Sequence, residues 1–378
     1  MSDGIGKKIG VGIVGASSTR GWAGVAHIPA LMALNDFELR GISTTRIETA
    51  RSLGDRLGLE LAYDNHRDLV ARPEIDLVVV CVKVPDHYEI VRAAIDAGKM
   101  IYCEWPLARS LGEAEELDRL AREKGLRTVV GLQGRMLPAT VLLRDMIRQG
   151  AIGRPLSTSL RAHLDEDTWL GRFAPPYEFM ANEANGATML SIGVGHALEA
   201  LSTALGDFRS LSAVIANRRG DGVRLRDMQK LPSDGPDEVS VIGVIEDGIV
   251  ASLHYSAGLA AGRSIVWEIQ GSEGSLTVEA STGGHLHFSD LTVTFRRGHE
   301  PARVLAIPSG ETGNLGKGAA GVARLYRQLA LDLAAGTTGV PDFGTAVTRH
   351  RTLDAIVASS RTGLSQPLQV EKPAFVAS

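Results

Sequence analysis

Ile9-Gly-Val-Gly-Ile-Val-Gly15-Ala-Ser-Ser-Thr-Arg-Gly21-Trp-Ala-Gly-Val-Ala-His27-Ile-Pro29 is the stretch that decides the architecture. An apolar run of strand length ends in Gly15, a small and polar loop follows, and Ala26 to Leu34 reads as a helix. Strand, glycine turn and helix is how a doubly wound sheet holds the pyrophosphate of a dinucleotide. The glycine lets the chain turn sharply, and the helix start offers free N–H groups and a positive dipole end. The G-x-G-x-x-G spacing fails after Gly15, because Ser17 and Arg20 stand where glycines are expected. The loop is also lengthened, with glycines at 21 and 24. Gly15, Ser17, Ser18, Thr19 and Trp22 are its candidate cofactor contacts. The alternative is a glycine turn after a buried strand with no ligand.

Working outward, Phe37 to Ser43 reads as a second strand, which ends in Ser43-Thr44-Thr45-Arg46. A carboxylate often stands there to take the ribose hydroxyls of NAD. Its absence removes repulsion for a 2′-phosphate, and Arg46 can pair with one, so Thr44, Thr45 and Arg46 point to NADP over NAD. The alternative for Arg46 is a solvated loop residue. Ala50 to Leu57 looks helical. Asp76 to Val82 is a continuous apolar run, as expected of a parallel strand buried on both faces. It leads into Lys83-Val-Pro85-Asp-His87. The C-terminal ends of parallel strands face the ligand crevice, which puts Val82, Lys83, Pro85 and His87 there. Met100 to Glu104 is the next strand, followed by Trp105-Pro106. Ser110 and Glu113 have capping-box spacing for a helix reaching about Lys124. Val129 to Leu132 is one more strand. Alternation of strand and helix to residue 135 predicts an open parallel sheet.

The 378 residues exceed one ordinary core. Two domains are expected: 1–134, binding the dinucleotide, and 135–378, for substrate and oligomerisation, with packing of the last helices back on the first domain as an alternative. A net charge of −4 gives no reason to expect nucleic acid or an anionic membrane as partner. The polar N-terminus has no signal-peptide core and no run reaches membrane-spanning length, which predicts a soluble cytoplasmic protein. Cys81 and Cys103 both lie in apolar strand-like runs, so buried free thiols are expected, without a disulfide framework or a metal.

Pro138 to Gln149 reads as a helix and Leu156 to His163 as a strand. Leu164 to Asn185 has no clean period and carries Asp165, Trp169 and Tyr177. Such side chains suit a sugar, whose ring packs on apolar faces while its hydroxyls take hydrogen bonds. The alternative is a surface excursion. Gly186 to Leu205 is helical and contains His196. From Ser210 to Phe295 repeated strand-length runs predict a large antiparallel sheet with one polar face. Arg218 to Pro236 reads as a charged loop, mobile or reaching a partner subunit, and Ser309 to Gly321 as a flexible lid or linker. Ala319 to Ala335 and Phe343 to Ser360 are helices, with a short strand after Gly363.

With these stretches in hand, the chain resembles the Gfo/Idh/MocA family, the glucose–fructose oxidoreductase and inositol dehydrogenase group. The resemblance rests on the opening glycine turn with His27 and Pro29, on Val84-Pro85-Asp86-His87, and on Ala97-Gly98-Lys99 before Tyr102-Cys103-Glu104. It continues through Gly131 to Pro138, Gly186 to His196, Pro341-Asp342-Phe343 and Leu353-Asp354-Ala355-Ile356. It implies an α/β fold: an N-terminal Rossmann parallel sheet, then a C-terminal α/β domain with a large, mostly antiparallel sheet that often forms an oligomer interface. A homodimer or homotetramer follows by analogy. It also implies hydride transfer between a nicotinamide cofactor and a sugar, polyol or related hydroxyl. Members usually carry Glu-Lys-Pro after the fifth strand and an aspartate four residues before a catalytic histidine. Here the first is Glu104-Trp105-Pro106, and Ile192 stands four residues before His196. The subgroup of the fungal galactose-pathway repressor and its bacterial relatives is similar at these places; that repressor binds NADP but works by protein contact.

Hydride transfer from an alcohol needs a base for the hydroxyl proton and donors for the developing alkoxide. By family position His196 is the base; otherwise it is a structural helix-face histidine. Lys83 lies close to where the missing lysine would project and is a second catalytic candidate. Arg135 follows a strand end and could bind the cofactor or a substrate oxygen. Glu104 is expected to order the cofactor or neighbouring backbone. Trp105 could stack on the nicotinamide or a sugar face but cannot act as acid or base. His27 and His87 are expected to brace loops. Asp165, Trp169 and Tyr177 complete the substrate candidates. Two readings remain: an NAD(P)-dependent oxidoreductase on a sugar or cyclic polyol, and a non-catalytic NADP-binding regulator acting through protein contacts.

Overall fold

The computed structural model describes residues 8–16, 21–309 and 312–368. The chain divides into two compact units. The first holds residues to 137 together with 184–187 and 309–350, and the second holds 138–183, 188–308 and the remainder. Chain order therefore does not delimit the first unit: helix Lys317–Ala335 and the first part of helix Phe343–Thr362 belong to it.

The first unit is built on six parallel strands: β1 (Ile9–Val14), β2 (Phe37–Ser43), β3 (Leu61–Tyr63), β4 (Leu77–Val80), β5 (Met100–Cys103) and β6 (Thr128–Val130). Among the described residues their order is β3-β2-β1-β4-β5-β6, with helices in the crossovers. Val11, Ile13, Leu77 to Val80, Ile101 and Tyr102 are fully buried, because a parallel sheet covered on both faces leaves neither side polar. The helix after Gly15 begins earlier than the sequence pattern suggests. A π-helical turn spans Ala23–His27 and runs into helix Ile28–Met32, with Pro29 in the first turn, where its missing N–H costs nothing. At Ser110 the capping box is only half formed. Ser110 accepts the Glu113 N–H at 3.3 Å, but the Glu113 carboxylate accepts the N–H of Arg109 at 3.0 Å and also engages its guanidinium. The arginine competes successfully because it adds a charge to the same contact.

The second unit carries β7 (Pro155–Leu164), β8 (Arg172–Phe173), β9 (Phe208–Ala216), β10 (Gly222–Arg224), β11 (Gln229–Leu231), β12 (Glu238–Ile245), β13 (Val250–Ala257), β14 (Ile265–Gly271), β15 (Gly274–Ala280), β16 (Thr292–Arg297), β17 (Arg303–Leu305) and β18 (Gln366–Pro367). Among the described residues its large sheet has the order β17-β16-β15-β14-β7-β13-β12-β9-β18, antiparallel except for β7 beside β13. One face is buried through Leu160, Val239, Val241, Leu253, Tyr255, Trp267 and Ile269. The opposite face of β9, β12 and β13 is open: Val214, Ile242 and Val250 are 60–66% exposed. Register sets Ile242 beside Ser212 and Ser252, and Val244 beside Val250, on that same face.

Two stretches expected as a loop and an insert instead pair with each other. β10 lies parallel to β8 and antiparallel to β11, a small sheet joining 164–185 to 218–236. Strands of two and three residues carry no period of their own, and only the partner brought by the fold defines them. Asp237 fixes the base of this segment by accepting the N–H groups of Arg218 and Arg219 at 2.6–2.9 Å. Where a lid or linker to Gly321 is expected, the helix begins at Lys317.

Candidate functional site

In the first unit β1 ends against β4. A Cβ on Gly15 would lie 2.3 Å from the Cys81 carbonyl oxygen and 2.6 Å from a Val82 methyl, and φ is +91°. Only glycine allows this close turn. Beyond it, His27 is fully buried and joins three elements. Its Nε2 lies 2.9 Å from Glu104 Oε1, after β5, and its Nδ1 lies 2.9 Å from Tyr326 Oη on helix Lys317–Ala335. Gln133, after β6, donates to Glu104 Oε2 at 3.2 Å. The arrangement that gives every donor one acceptor has Nε2–H donating to the carboxylate and the Tyr326 hydroxyl donating to Nδ1. Burial, reinforced by the Glu104 charge, pushes the hydroxyls of Tyr102 and Tyr326 well above the usual range, so both stay neutral. The same causes raise the thiols of Cys81 and Cys103.

Around this network stand the other candidates of the first unit. Lys83 is exposed where the chain leaves β4 for the turn Val84–Asp86, with Val82 and Pro85 half-buried beside it. His87 is 1% exposed, with Nδ1 2.8 Å from the Pro106 carbonyl and Nε2 3.2 Å from that of Val82, and burial lowers its pKa. Trp105 is 6% exposed and its indole packs at 4.9 Å, tilted, on the ring of His350. Burial takes His350 down to about 4. Arg135 is half-buried and makes a long contact of 3.4 Å to Thr345 Oγ1. After β2, Thr44 donates to the Arg46 carbonyl at 2.8 Å, while Thr45 and Arg46 are exposed at the start of helix Ile47–Leu57. Trp22 is half-buried before the π-helical turn. Ser17, Ser18 and Thr19 lie outside the described residues. This set fits a dinucleotide: a glycine cradle at Gly15, strand-end residues from β2 and β4, and a braced carboxylate at Glu104. The dinucleotide, when bound, supplies a hydride donor or acceptor.

In the second unit His196 follows a π-helical turn, Met189–Val194, and is the second residue of helix Gly195–Leu205. That turn is capped by Thr188, which accepts the Ser191 N–H while Ser191 Oγ accepts the Thr188 N–H at 2.8 Å. The Ser191 hydroxyl thus serves the helix start. Ring centroids place His196 4.4 Å from His287, His287 5.5 Å from His285 and 4.1 Å from Phe288, and Trp169 6.0 Å from His285. Burial, with His285 as a lesser cause, lowers the His196 pKa to about 3; burial takes His285 to about 4 and His287 well down. All three rings are neutral at pH 7. Asp165 is exposed and Tyr177 is 46% exposed. Among the described residues no three His, Cys, Asp or Glu are placed to hold a metal ion.

Sequence reasoning did not single out Gln133, Tyr326, His350, His285 or His287 as site residues. The signal for the last two was present: two of ten histidines one residue apart in a glycine-flanked turn. For Tyr326 and His350 there was none, since each lies inside a long helix far in sequence from its partner.

Residues 9–132 match the model of an oxidoreductase family with an NAD-binding Rossmann fold, and 138–280 match that of the Gal80p C-terminal domain. The chain is 32% identical to a dehydrogenase, aclE, of Aspergillus oryzae over 72% of its own length and 77% of that protein. It is 28% identical to the galactose/lactose metabolism regulatory protein GAL80 of Saccharomyces cerevisiae, over 73% and 67% of the two chains. Among solved structures it superposes on a super-repressor mutant of that yeast Gal80p with TM-score 0.85, at 24% identity, covering 95% and 98%. It superposes on a levoglucosan dehydrogenase in complex with NADH and L-sorbose with TM-score 0.79, at 26% identity, covering 96% and 99%. Among the described residues no helix is long and apolar enough to cross a membrane. The chain thus belongs to the Gfo/Idh/MocA family, its NAD(P)-binding Rossmann domain joined to a domain of the Gal80p C-terminal type.

Proposed function

We propose that this chain binds a nicotinamide dinucleotide, NADP in preference to NAD, and acts as a regulator through contact with another protein instead of by turnover. The observation that carries this reading is the setting of His196: its ring lies 4.4 Å from that of His287, and burial lowers its pKa, which weakens it as a base toward a hydroxyl at neutral pH. Trp105 and Ile192 supply neither the ammonium nor the carboxylate that family members bring to the chemistry. The two GAL80 regulatory relatives favour the same reading.

A second reading is an NAD(P)-dependent oxidoreductase on a hydroxyl of a sugar or cyclic polyol. The aclE and levoglucosan dehydrogenase relatives favour it, as does Lys83, exposed at the end of β4. One experiment separates the two. Nucleotide co-purifying with the protein is released and identified, and a panel of sugars and polyols is then offered with NADP and with NAD. Tight NADP with no reduction by any panel member supports the regulator. Reduction by one class of sugar that disappears in His196→Ala establishes the enzyme.

For assembly, the open face of β9, β12 and β13 is the surface we assign to a second copy, giving a homodimer or a homotetramer. Apolar patches of this kind on a sheet mark interaction surfaces.

A further inference from the structure

Tyr326 stands on helix Lys317–Ala335, a part of the first unit that follows most of the second in sequence. Its ring is fully buried and packs 5.1 Å from Phe37, 5.2 Å from Tyr102 and 5.8 Å from His27. Phenylalanine would fill that space equally well. A buried hydroxyl is costly unless it is hydrogen-bonded, and among the described residues this one has a single bond, 2.9 Å to His27 Nδ1. The hydroxyl is therefore there for the imidazole. His27 is itself 0% exposed, with Tyr102 edge-on against it at 5.0 Å, so solvent does not reach the ring to replace Tyr326.

Fixing Nδ1 fixes the opposite side of the ring. Nε2 lies 2.9 Å from Glu104 Oε1, and Gln133 donates to Oε2 at 3.2 Å. A Cβ on Gly131 would lie 2.5 Å from that second oxygen, so the carboxylate fills the space a side chain would take. Glu104 is thus seated in one orientation just after β5, yet its side chain is still 13% exposed. The carboxyl ends of parallel strands open on the ligand crevice. A carboxylate has about four acceptor sites, so two bonds to the protein leave lone pairs for hydroxyls of a bound dinucleotide.

We propose that Tyr326 is a positioning residue for the dinucleotide: its hydroxyl, acting through His27, holds the Glu104 carboxylate in the orientation that accepts from the ligand. Residues 9–132 therefore do not complete the nucleotide site, because the group that orients Glu104 comes from helix Lys317–Ala335. This rests on the reading that the first unit takes a nicotinamide dinucleotide, and it applies to a regulator and an enzyme alike.

The test is calorimetric titration of the full chain with NADP and NAD, with the His27 Nε2–H proton followed by NMR. In wild type that proton should be protected from exchange and should shift when NADP is added. Tyr326→Phe deletes one oxygen and should weaken NADP about 5-fold or more, with the Nε2–H protection lost. Phe37→Leu disturbs packing against the same ring without touching the hydrogen bonds, and should stay within about 2-fold of wild type. In a Glu104→Gln background, Tyr326→Phe should cost no further affinity, because the two act in one chain of contacts. The proposal is overturned if Tyr326→Phe binds NADP like wild type, if Phe37→Leu loses as much, or if the loss persists in full in the Glu104→Gln background. A wild-type Nε2–H signal that ignores NADP overturns it as well, and needs no variant to fold. A wild-type chain that binds neither NADP nor NAD defeats the dinucleotide reading and the positioning role together, whereas tight binding untouched by Tyr326→Phe defeats the positioning role alone.

Discussion

The imidazole of His27 and the carboxylate of Glu104 lie 2.9 Å apart, tying the turn after β1 to the end of β5. Tyr326 and Gln133 occupy the remaining positions on the two groups, so four distant segments of the first unit meet in one hydrogen-bonded chain. The carboxylate that the family resemblance places at the cofactor is thus held by protein groups on both oxygens.

Glu104→Ala removes the acceptor of a buried imidazole and of Gln133. Leaving such donors unsatisfied costs about 2–3 kcal/mol. Urea denaturation should show that loss, with Tyr326→Phe costing about 1 kcal/mol through the same network. An unchanged midpoint for Glu104→Ala would mean that the network contributes nothing.

Gly15→Ala places a methyl on the Cys81 carbonyl at a backbone angle that disfavours any side chain. The expected result is a destabilisation of more than about 2 kcal/mol and loss of nucleotide binding. Wild-type nucleotide affinity in this variant would show that the turn is not part of the cradle.

Arg46→Ala should weaken NADP by roughly 10- to 100-fold, the loss of one charge-assisted hydrogen bond, while changing NAD little. Its exposed position after β2 predicts no effect on folding. Equal losses for both nucleotides would remove Arg46 from 2′-phosphate recognition.

Stability should fall below pH 6.5. Unfolded histidine takes a proton near that value, whereas His285 and His350 in the fold do so only at about 4. The unfolded state therefore binds more protons between these limits. The stabilisation is complete above pH 6.5 and is lost as pH falls toward 4, on the order of 3 kcal/mol per group. Urea midpoints at pH 7 and pH 5 should differ less in His350→Phe than in wild type; identical slopes would sink the assignment.

Ile242→Lys puts a charge on the open sheet face without touching the buried one. Light scattering should show dissociation to a smaller species with the melting of each protomer otherwise retained. An unchanged molar mass would place the interface elsewhere.

The α/β class, the open parallel sheet of the first unit, and the antiparallel sheet of the second follow from local pattern. Strands buried on two faces must be continuously apolar, and half-buried strands must alternate, so chain order and period are enough. Gly15 and the start of helix Leu111–Glu123 were legible for the same reason: each constraint acts within a few residues. Tertiary structure alone decided the rest. Short strands β8, β10 and β11 exist only through each other, since two or three residues hold no period. His27, Glu104, Gln133 and Tyr326 meet from positions up to 299 residues apart, and nothing in any one segment names its partners. The neutrality of His196, His285 and His287 is likewise a property of burial and mutual proximity: the sequence supplied three imidazoles, and the fold decided that none of them carries charge at neutral pH.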